Sequence, residues 1–241
     1  MDKILNRSDW CKPATRLLHC IRQLSGEFPI IMHIRHTERE RISHPEGAAL
    51  STEQGRKAAF EFGASLPAGW KYRIWYTSIE RTRETSGDIL SGLKSNNIES
   101  EIKGQIPIST IVDSTNFFRT QSIYQVVEDT DDSAKTYFSH WISGFYPATI
   151  VQPSQEFAKK VAEYMLRTVD HNTFDILISH DTWIAALLFH WFGLLPGPNW
   201  INFLDGFAIE LRNSKTILIT KEGSREINIP PWLKMLRAWV D

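Results

Sequence analysis

Short apolar runs alternate along the chain with longer segments in which apolar residues recur at helical spacing. The run at 28–35 (FPIIMHIR) is rich in β-branched residues and predicts a strand buried on both faces. Runs at 73–77 (RIWYT) and 174–179 (FDILIS) predict two further strands. Helical spacing predicts helices over 52–65, from about 82 to 93, near 154–169 and near 182–193.

Two late runs, 206–211 and 215–220, predict a hairpin with Arg-Asn-Ser as its turn. Because strands and helices alternate over most of the chain, we expect an α/β fold in which helices cover both faces of a mostly parallel mixed sheet. The hairpin would add an antiparallel edge. The predicted fold is therefore a three-layer α/β/α sandwich.

The interval from about 105 to 150 departs from this alternation. It is rich in aromatic residues and carries the acidic run EDTDD at 128–132. We expect it to form a small insert or cap over the sheet edge, with the aromatics in its core and the acidic run in solvent. Because the sequence shows no internal repeat or low-complexity linker, we predict a single domain over 1–241.

Composition and charge narrow the possible partners. The chain of 241 residues is 42% hydrophobic and 23% charged, as is usual for soluble globular proteins. Its formal net charge of −1 gives no electrostatic reason to expect nucleic acid or an anionic membrane as a partner. The sequence has no apolar run of signal-peptide length near its start and no stretch of about 18 apolar residues. We therefore expect a cytoplasmic protein, in which a local cluster of cations would attract any phosphorylated small molecule.

The two cysteines, Cys11 and Cys20, are assigned to one amphipathic helix around TRLLHCIRQL. In a helix their Cα atoms would be separated by roughly 13 Å, whereas a disulfide requires less than roughly 7 Å. Reduced thiols in a cytoplasmic protein are therefore expected.

Polar side chains follow each of the three apolar strands. They are Arg35, His36 and Arg39 after the first strand, Arg81 after the second, and His180 and Asp181 after the third. Because the carboxyl ends of parallel strands meet at one edge of a sheet, we expect these side chains to lie close together. Arginine matches phosphate oxygens in bidentate geometry, an imidazole among cations can attack phosphorus, and a carboxyl group can protonate the leaving oxygen. The residues thus predict phosphoryl transfer that needs no metal ion and no cofactor.

These segments resemble a known family. The run Arg35-His36-x-x-Arg39 after a strand resembles the R-H-G-x-R signature of the histidine phosphatase superfamily, in its acid-phosphatase and phytase branch. The other matching segments are 50–55 (LSTEQG), similar to L-T-x-x-G, 81–86 (RTRETS), similar to R-T-x-x-S-A, the pair His180-Asp181, similar to H-D, and 203–211, similar to a late strand. Together they span roughly residues 28–220 in the order that the family has.

The resemblance implies a phosphatase that hydrolyses the phosphate monoester of a small molecule through a phosphohistidine. His36 would be the nucleophile and Asp181 the proton donor, which later activates water as a base. The phosphoryl oxygens would be held by Arg35, Arg39, Arg81 and His180.

Two positions depart from the family pattern. Thr37 stands where the family usually has glycine, and Arg41 stands where proline is usual. Most members of the branch are also larger and disulfide-bonded, so we expect a reduced cap in this chain. The resemblance therefore does not imply a particular substrate.

Alternative functions remain open from the sequence. The mutase-like branch of the superfamily takes its acid from a glutamate in the region of Glu128, which is thus a rival to Asp181. A phosphoglycerate-mutase-like phosphotransferase would share His36 as nucleophile. A non-catalytic module that binds a phosphorylated ligand through the arginines is the third possibility.

Several other residues are assigned to structure rather than to chemistry. Arg83 lies two positions from Arg81 on the predicted helix and is expected at the surface. His33 is expected in the core, and His44 in a solvated loop. Three tryptophans are assigned to packing by default: Trp183, Trp191 and Trp200.

Overall fold

The computed structural model describes residues 4–40, 49–107, 134–149, 151–195, 200–212 and 215–228. The helices in these ranges are α1 (Ile4–Arg7), α2 (Lys12–Ile21), α3 (Glu53–Gly63), α4 (Glu80–Ser95), α5 (Ala134–Ile142), α6 (Ser154–Thr168) and α7 (Asp181–Phe192). The strands are β1 (Ile30–Arg35), β2 (Lys71–Tyr76), β3 (Ser100–Gln105), β4 (Thr173–Ser179), β5 (Gly206–Leu211), β6 (Thr216–Thr220) and β7 (Gly223–Ile227).

The seven strands form one mixed sheet in the order β3-β2-β4-β1-β5-β6-β7. Strands β3, β2, β4 and β1 are parallel, and β5, β6 and β7 continue the sheet in antiparallel pairs. Every residue of β4 and β5 is buried. Since successive side chains of a strand point to opposite faces, both faces of the sheet are covered. The predicted three-layer α/β/α class is confirmed, and the late hairpin is present as β5 and β6.

Two edge strands, β3 and β7, have no counterpart in the sequence prediction. Their sequences, SEIKGQ and GSREI, lack the apolar runs or alternation that mark a half-buried strand. They lie at opposite ends of the sheet, where exposure to solvent allows polar residues in a strand. Periodicity therefore identified the central strands and missed the edges.

The chain divides into two compact units. The first contains α1 to α4, the whole sheet and the start of α7. In the second, the Ser154 hydroxyl donates to the Trp141 carbonyl at 3.0 Å, and the Trp191 indole donates to the Ala158 carbonyl at 3.2 Å. Residues 108–133 and 150, and with them Glu128 and the acidic run, lie outside the described residues, so the 105–150 cap and the single-domain organisation remain predictions.

One apolar core in the first unit joins α2, α3 and α4 to the sheet. Its strand residues include Met32, Ile74 and Ile176, which are fully buried. Helices α3 and α4 lie very close together at Gly63. A side chain there would have no room, since its Cβ would lie 2.1 Å from the Ile89 carbonyl oxygen. The polar residues at the start of α4 therefore lie on a helix that packs tightly against α3.

The cysteines are free thiols, as expected. Cys11 lies in a 3₁₀ turn, Asp9–Cys11, rather than in α2, so the assignment of both cysteines to one helix is wrong. Burial raises the pKa of the Cys11 thiol to about 12, which keeps it protonated. Among the described residues, no helix is long and apolar enough to cross a membrane.

Candidate active site

The ends of β1, β2 and β4 meet at one edge of the sheet, as the sequence predicts. Arg35 pairs in register with Ser179, and the His36 amide extends the ladder with a 3.0 Å hydrogen bond to the Ser179 carbonyl. The imidazole rings of His36 and His180, which follow these two strands, lie with centroids 5.6 Å apart. The parallel register therefore brings both histidines to one place.

Hydrogen bonds fix the tautomer of His36. Its side chain is buried, and Nδ1 lies 2.7 Å from the Thr37 carbonyl oxygen. Since a carbonyl can only accept, Nδ1 carries the proton. Nε2 then has a lone pair, and it accepts a hydrogen bond from Arg81 Nε at 3.0 Å. The unprotonated Nε2 is the nitrogen that can act as a nucleophile.

The surroundings of His36 also keep it neutral. Burial lowers its pKa well below the usual 6.5, and His180, Arg81 and Arg35 lower it further by electrostatic repulsion of a proton. The hydrogen bond to the Thr37 carbonyl opposes this shift. His36 is therefore neutral even in mildly acidic solution, with its one ring proton on Nδ1.

His180 is held in the neutral form by the same causes. Burial lowers its pKa to about 3, and the nearby charges of Arg81 and Arg35 add to the effect. The Thr77 hydroxyl lies 3.1 Å from His180 Nε2 and fixes the ring. His180 can thus offer a neutral N–H to a phosphoryl oxygen without adding charge.

Arg35 is held by groups on three sides. Its Nη1 donates to the Ile201 carbonyl at 2.7 Å, and its Nη2 forms an ion pair with Asp181 Oδ2 at 3.2 Å. The guanidinium plane also lies over the Phe203 ring, with Cζ 4.3 Å from the centroid. Phe203 in turn contacts the His36 ring, at 5.8 Å between centroids.

Asp181 is the first residue of α7, and each of its carboxylate oxygens has a donor. Oδ1 accepts from the Thr182 amide at 3.0 Å. Oδ2 accepts from the Trp200 indole Nε1 at 2.8 Å and faces Arg35 Nη2. Arg35 also lies close enough to His36 to lower its pKa, so Asp181 and His36 share this arginine as a neighbour.

The two remaining arginines differ in depth. Arg81 is the second residue of α4, which begins at Glu80 rather than near 82, and it is only 6% exposed. Arg39 is partly exposed and donates to the Glu40 carbonyl at 3.1 Å. Its charge nevertheless contributes to the lowered pKa of His180. Arg39 thus lies close enough to the histidines to influence them, and one of its contacts is within its own loop.

Thr37 uses its hydroxyl to anchor the loop after β1. Thr37 Oγ1 donates to the Gly55 carbonyl in α3 at 2.7 Å, and its amide donates to Thr85 Oγ1 at 3.1 Å. A side chain at position 55 would bring Cβ to 2.5 Å from the Glu38 carbonyl oxygen, so glycine permits this approach. Compared with a glycine at this position, threonine therefore adds one contact, from its hydroxyl to α3, whereas the amide contact to Thr85 in α4 would be available to either residue.

Sequence reasoning missed several contributors to the site. Thr77 ends a predicted strand, but no pattern linked it to His180. Trp200 was assigned to packing by default, and its indole N–H also donates to Asp181. Phe203 was noted only as part of a late strand, whereas β5 begins at Gly206. Such contacts depend on the path of a loop, and periodicity carries no information about that path.

The other assignments can be compared with the structure in part. His33 is fully buried and hydrogen-bonded to Ser179, as expected of a core histidine. Arg83 is exposed and paired with Glu80. Arg41 and His44 lie outside the described residues. Within the described ranges, no group of three or more His, Cys, Asp or Glu side chains could hold a metal ion.

The sequence matches no protein-family model and no curated protein sequence. Among solved structures, the chain is similar to the phosphoserine phosphatase of Entamoeba histolytica, in complex with 3-phosphoglyceric acid. The identity is 15% over 85% of this chain and 99% of that chain, with a TM-score of 0.47.

Two further solved structures are similar at comparable levels. A mycobacterial glucosyl-3-phosphoglycerate phosphatase is 13% identical over 83% of this chain and 96% of its own, with a TM-score of 0.44. The protein histidine phosphatase SixA, complexed with tungstate, is 9% identical over 86% of this chain and 99% of its own, with a TM-score of 0.42. These structural neighbours are phosphatases. At such TM-scores they do not decide the activity, and we infer the function of this chain from its own site.

Proposed function

We propose that this protein is a phosphatase that hydrolyses a phosphate monoester through a phosphohistidine intermediate on His36. The observation that supports this most directly is the buried, unprotonated Nε2 of His36, which faces Arg81 at 3.0 Å. Arg35 and His180 lie beside the same ring. A neutral imidazole among fixed cations suits attack on an anionic phosphoryl group.

In the first step, the lone pair of His36 Nε2 forms a bond to phosphorus. The bond from phosphorus to the ester oxygen breaks, and its electron pair goes to that oxygen. Asp181, in its acid form, gives a proton to the departing oxygen, which leaves as an alcohol. The protein then holds phosphohistidine, and Asp181 is a carboxylate.

In the second step, a water molecule attacks phosphorus. Asp181 takes a proton from this water, and the bond between phosphorus and Nε2 breaks with its electron pair returning to nitrogen. Inorganic phosphate leaves, His36 is neutral again and Asp181 is again protonated. The cycle therefore needs only the ester and water.

The arginines supply the charge that this chemistry requires. In the unliganded site Arg81 donates to Nε2, and this lone pair is used when the bond to phosphorus forms. The Arg81 N–H is then available to a phosphoryl oxygen at the moment when negative charge develops. Donors of this kind contribute about 10²–10³-fold each to the rate. Arg35, Arg39 and His180 complete the proposed phosphate site.

We further propose a phosphorylated small molecule as substrate and an acid-phosphatase-like mechanism that uses no metal ion. Asp181 is favoured as proton donor because it directly follows His180 in the chain and pairs with Arg35, an arginine that also influences His36. The free thiols of Cys11 and Cys20 are consistent with a reducing compartment such as the cytoplasm.

The test is a screen of phosphate monoesters with the purified protein, with phosphate release measured before and after dialysis against EDTA. The wild type should release phosphate in both cases and form an acid-labile, alkali-stable phosphoenzyme. His36→Ala should abolish both, while His171→Ala, at an exposed histidine, should change neither. Phosphate binding without turnover would identify a binding module, and bisphosphoglycerate-dependent isomerisation a mutase-like enzyme. Substantial turnover by His36→Ala would exclude the mechanism.

A further inference from the structure

The segment 200–205, which precedes β5, contacts both the backbone and the side chain of Arg35. The Asp205 carbonyl accepts from the Arg35 amide at 2.9 Å, and the Leu204 amide donates to the Arg35 carbonyl at 3.2 Å. The Ile201 carbonyl and the Phe203 ring hold the guanidinium. One short loop therefore determines where this arginine can point.

The first residue of the same segment reaches the proposed proton donor. Trp200 Nε1 donates to Asp181 Oδ2 at 2.8 Å, and Arg35 Nη2 lies 3.2 Å from the same oxygen. The other oxygen, Oδ1, accepts from the Thr182 amide, which is the next residue in the chain. The two oxygens of Asp181 thus have different surroundings.

This difference matters for a carboxyl group that must carry a proton. A carboxylate oxygen offers about two lone-pair positions. At Oδ2 both positions face N–H donors, and neither an indole nor a guanidinium can accept a proton. At Oδ1 one position is used by the Thr182 amide, which leaves the other for a proton.

We propose that Trp200 is a positioning residue for proton transfer, because its indole N–H and Arg35 together hold Oδ2 of Asp181 and leave Oδ1 to deliver the proton to the leaving group. The inference rests on the proposed phosphatase function. An indole suits this task because it is a donor only, carries no charge and is rigid about two side-chain torsions.

The experiment compares Trp200→Phe with the wild type on phosphate esters whose leaving groups range from p-nitrophenol to simple alkyl alcohols. Phenylalanine keeps an aromatic ring and removes the N–H. A misplaced acid should lower kcat for alkyl phosphates by about 10- to 100-fold with little change in KM. For p-nitrophenyl phosphate, which needs little protonation, the loss should stay within about twofold.

The matched control is Trp70→Phe. Trp70 is a buried tryptophan whose indole donates to the Phe28 carbonyl at 2.9 Å, and its ring packs in the core. This variant removes the same kind of hydrogen bond from a place outside the site. Any loss of activity in Trp70→Phe should be equal for all leaving groups. If Trp200→Phe does not fold, benzothienylalanine at position 200, which keeps the shape without the N–H, provides the same comparison.

The outcomes separate this inference from the proposed function. A steeper dependence on leaving group in the Trp200 variant than in the wild type supports the positioning role. Equal losses across the series in Trp200→Phe, as in Trp70→Phe, would overturn it while leaving the phosphatase intact. Failure of the wild type to hydrolyse any ester would overturn the proposed function itself, and this inference with it.

Discussion

Arg81 donates a hydrogen bond from Nε to Nε2 of His36 across 3.0 Å, so the guanidinium occupies the lone pair that would attack phosphorus. The same positive charge is one of the causes that lower the pKa of His36. Arg81 therefore holds the imidazole neutral and oriented while no ligand is bound. Arg81 is the second residue of α4, a helix that packs closely against α3 at Gly63.

Replacing Arg81 by alanine should move the acidic limb of the rate profile. Only the neutral form of His36, with a lone pair on Nε2, can attack, so activity falls as the pH drops toward the pKa of His36. Removing Arg81 takes away a charge that lowers this pKa, so the pKa rises and the acidic limb of kcat/KM shifts to higher pH. The rate at the plateau should also fall by about 10²–10³-fold.

The measurement is kcat/KM for p-nitrophenyl phosphate across the pH range, with Arg83→Ala as control. Arg83 is on the same helix but exposed and paired with Glu80, so its loss should leave the profile in place. An acidic limb at the same pH in Arg81→Ala and in the wild type would show that Arg81 does not influence the protonation of His36.

Thr37 is expected to couple loop geometry to catalysis. Thr37→Val keeps the shape but removes the hydroxyl that donates to the Gly55 carbonyl, at a cost in stability of about 0.5–1.5 kcal/mol. Because the Thr37 carbonyl also holds His36 Nδ1, kcat should fall, whereas Thr37→Ser should retain activity. Thermal melting and steady-state kinetics measure the two effects.

A control for Thr37→Val lies away from the candidate site. Thr15→Val removes a similar hydrogen bond, from Thr15 Oγ1 to the Leu5 carbonyl at 2.9 Å. It should lower the melting temperature without lowering kcat. Equal kinetics for both valine variants would mean that the Thr37 hydroxyl serves stability alone.

The sequence predicts the arrangement of the central strands well because β1 and β4 are continuous apolar runs, and parallel strands place the residues after them at one edge. His36, Arg81 and His180 come together for this reason. The contact between Trp200 and Asp181 has no such source, since Trp200 comes 19 positions after Asp181 and beyond the helix that Asp181 begins. The polar edge strand β3 was missed because exposure removes the hydrophobic pattern.

Asp181→Asn should slow hydrolysis in proportion to the need of the leaving group for a proton. Asparagine keeps the shape of the side chain but cannot deliver a proton. Hydrolysis of alkyl phosphates should slow by about 10²–10⁴-fold, and that of p-nitrophenyl phosphate much less. Phosphoenzyme should accumulate, because the variant also lacks the base for the water step.

Glu128→Gln provides the comparison that the sequence suggests. If Asp181 is the acid, any loss of rate in Glu128→Gln relative to the wild type should be the same for all leaving groups. The reverse pattern would assign the acid to Glu128 and favour the mutase-like branch. A uniform loss across all substrates in Asp181→Asn would mean that Asp181 orients its neighbours and transfers no proton.

The buried histidines should make the protein less stable in acid, and His33 offers a clean test. His33 is fully buried, and burial lowers its pKa to about 3. In the unfolded chain a histidine titrates near its ordinary pKa of about 6.5. Between these two values the unfolded state binds a proton that the folded state does not, so the free energy of unfolding falls as the pH falls.

His33→Gln should reduce this acid sensitivity, since glutamine does not titrate but can still reach the Ser179 hydroxyl that His33 contacts. The slope of the free energy of unfolding against pH should become shallower by up to about 1.4 kcal/mol per pH unit within that window, the contribution of one proton. Urea titrations at several pH values between about 7 and 4 measure the slope. His171→Gln, at an exposed position, should keep the wild-type slope. Parallel curves for His33→Gln and the wild type would mean that His33 is not a source of the acid sensitivity, which would then come from the other buried groups, His180 among them.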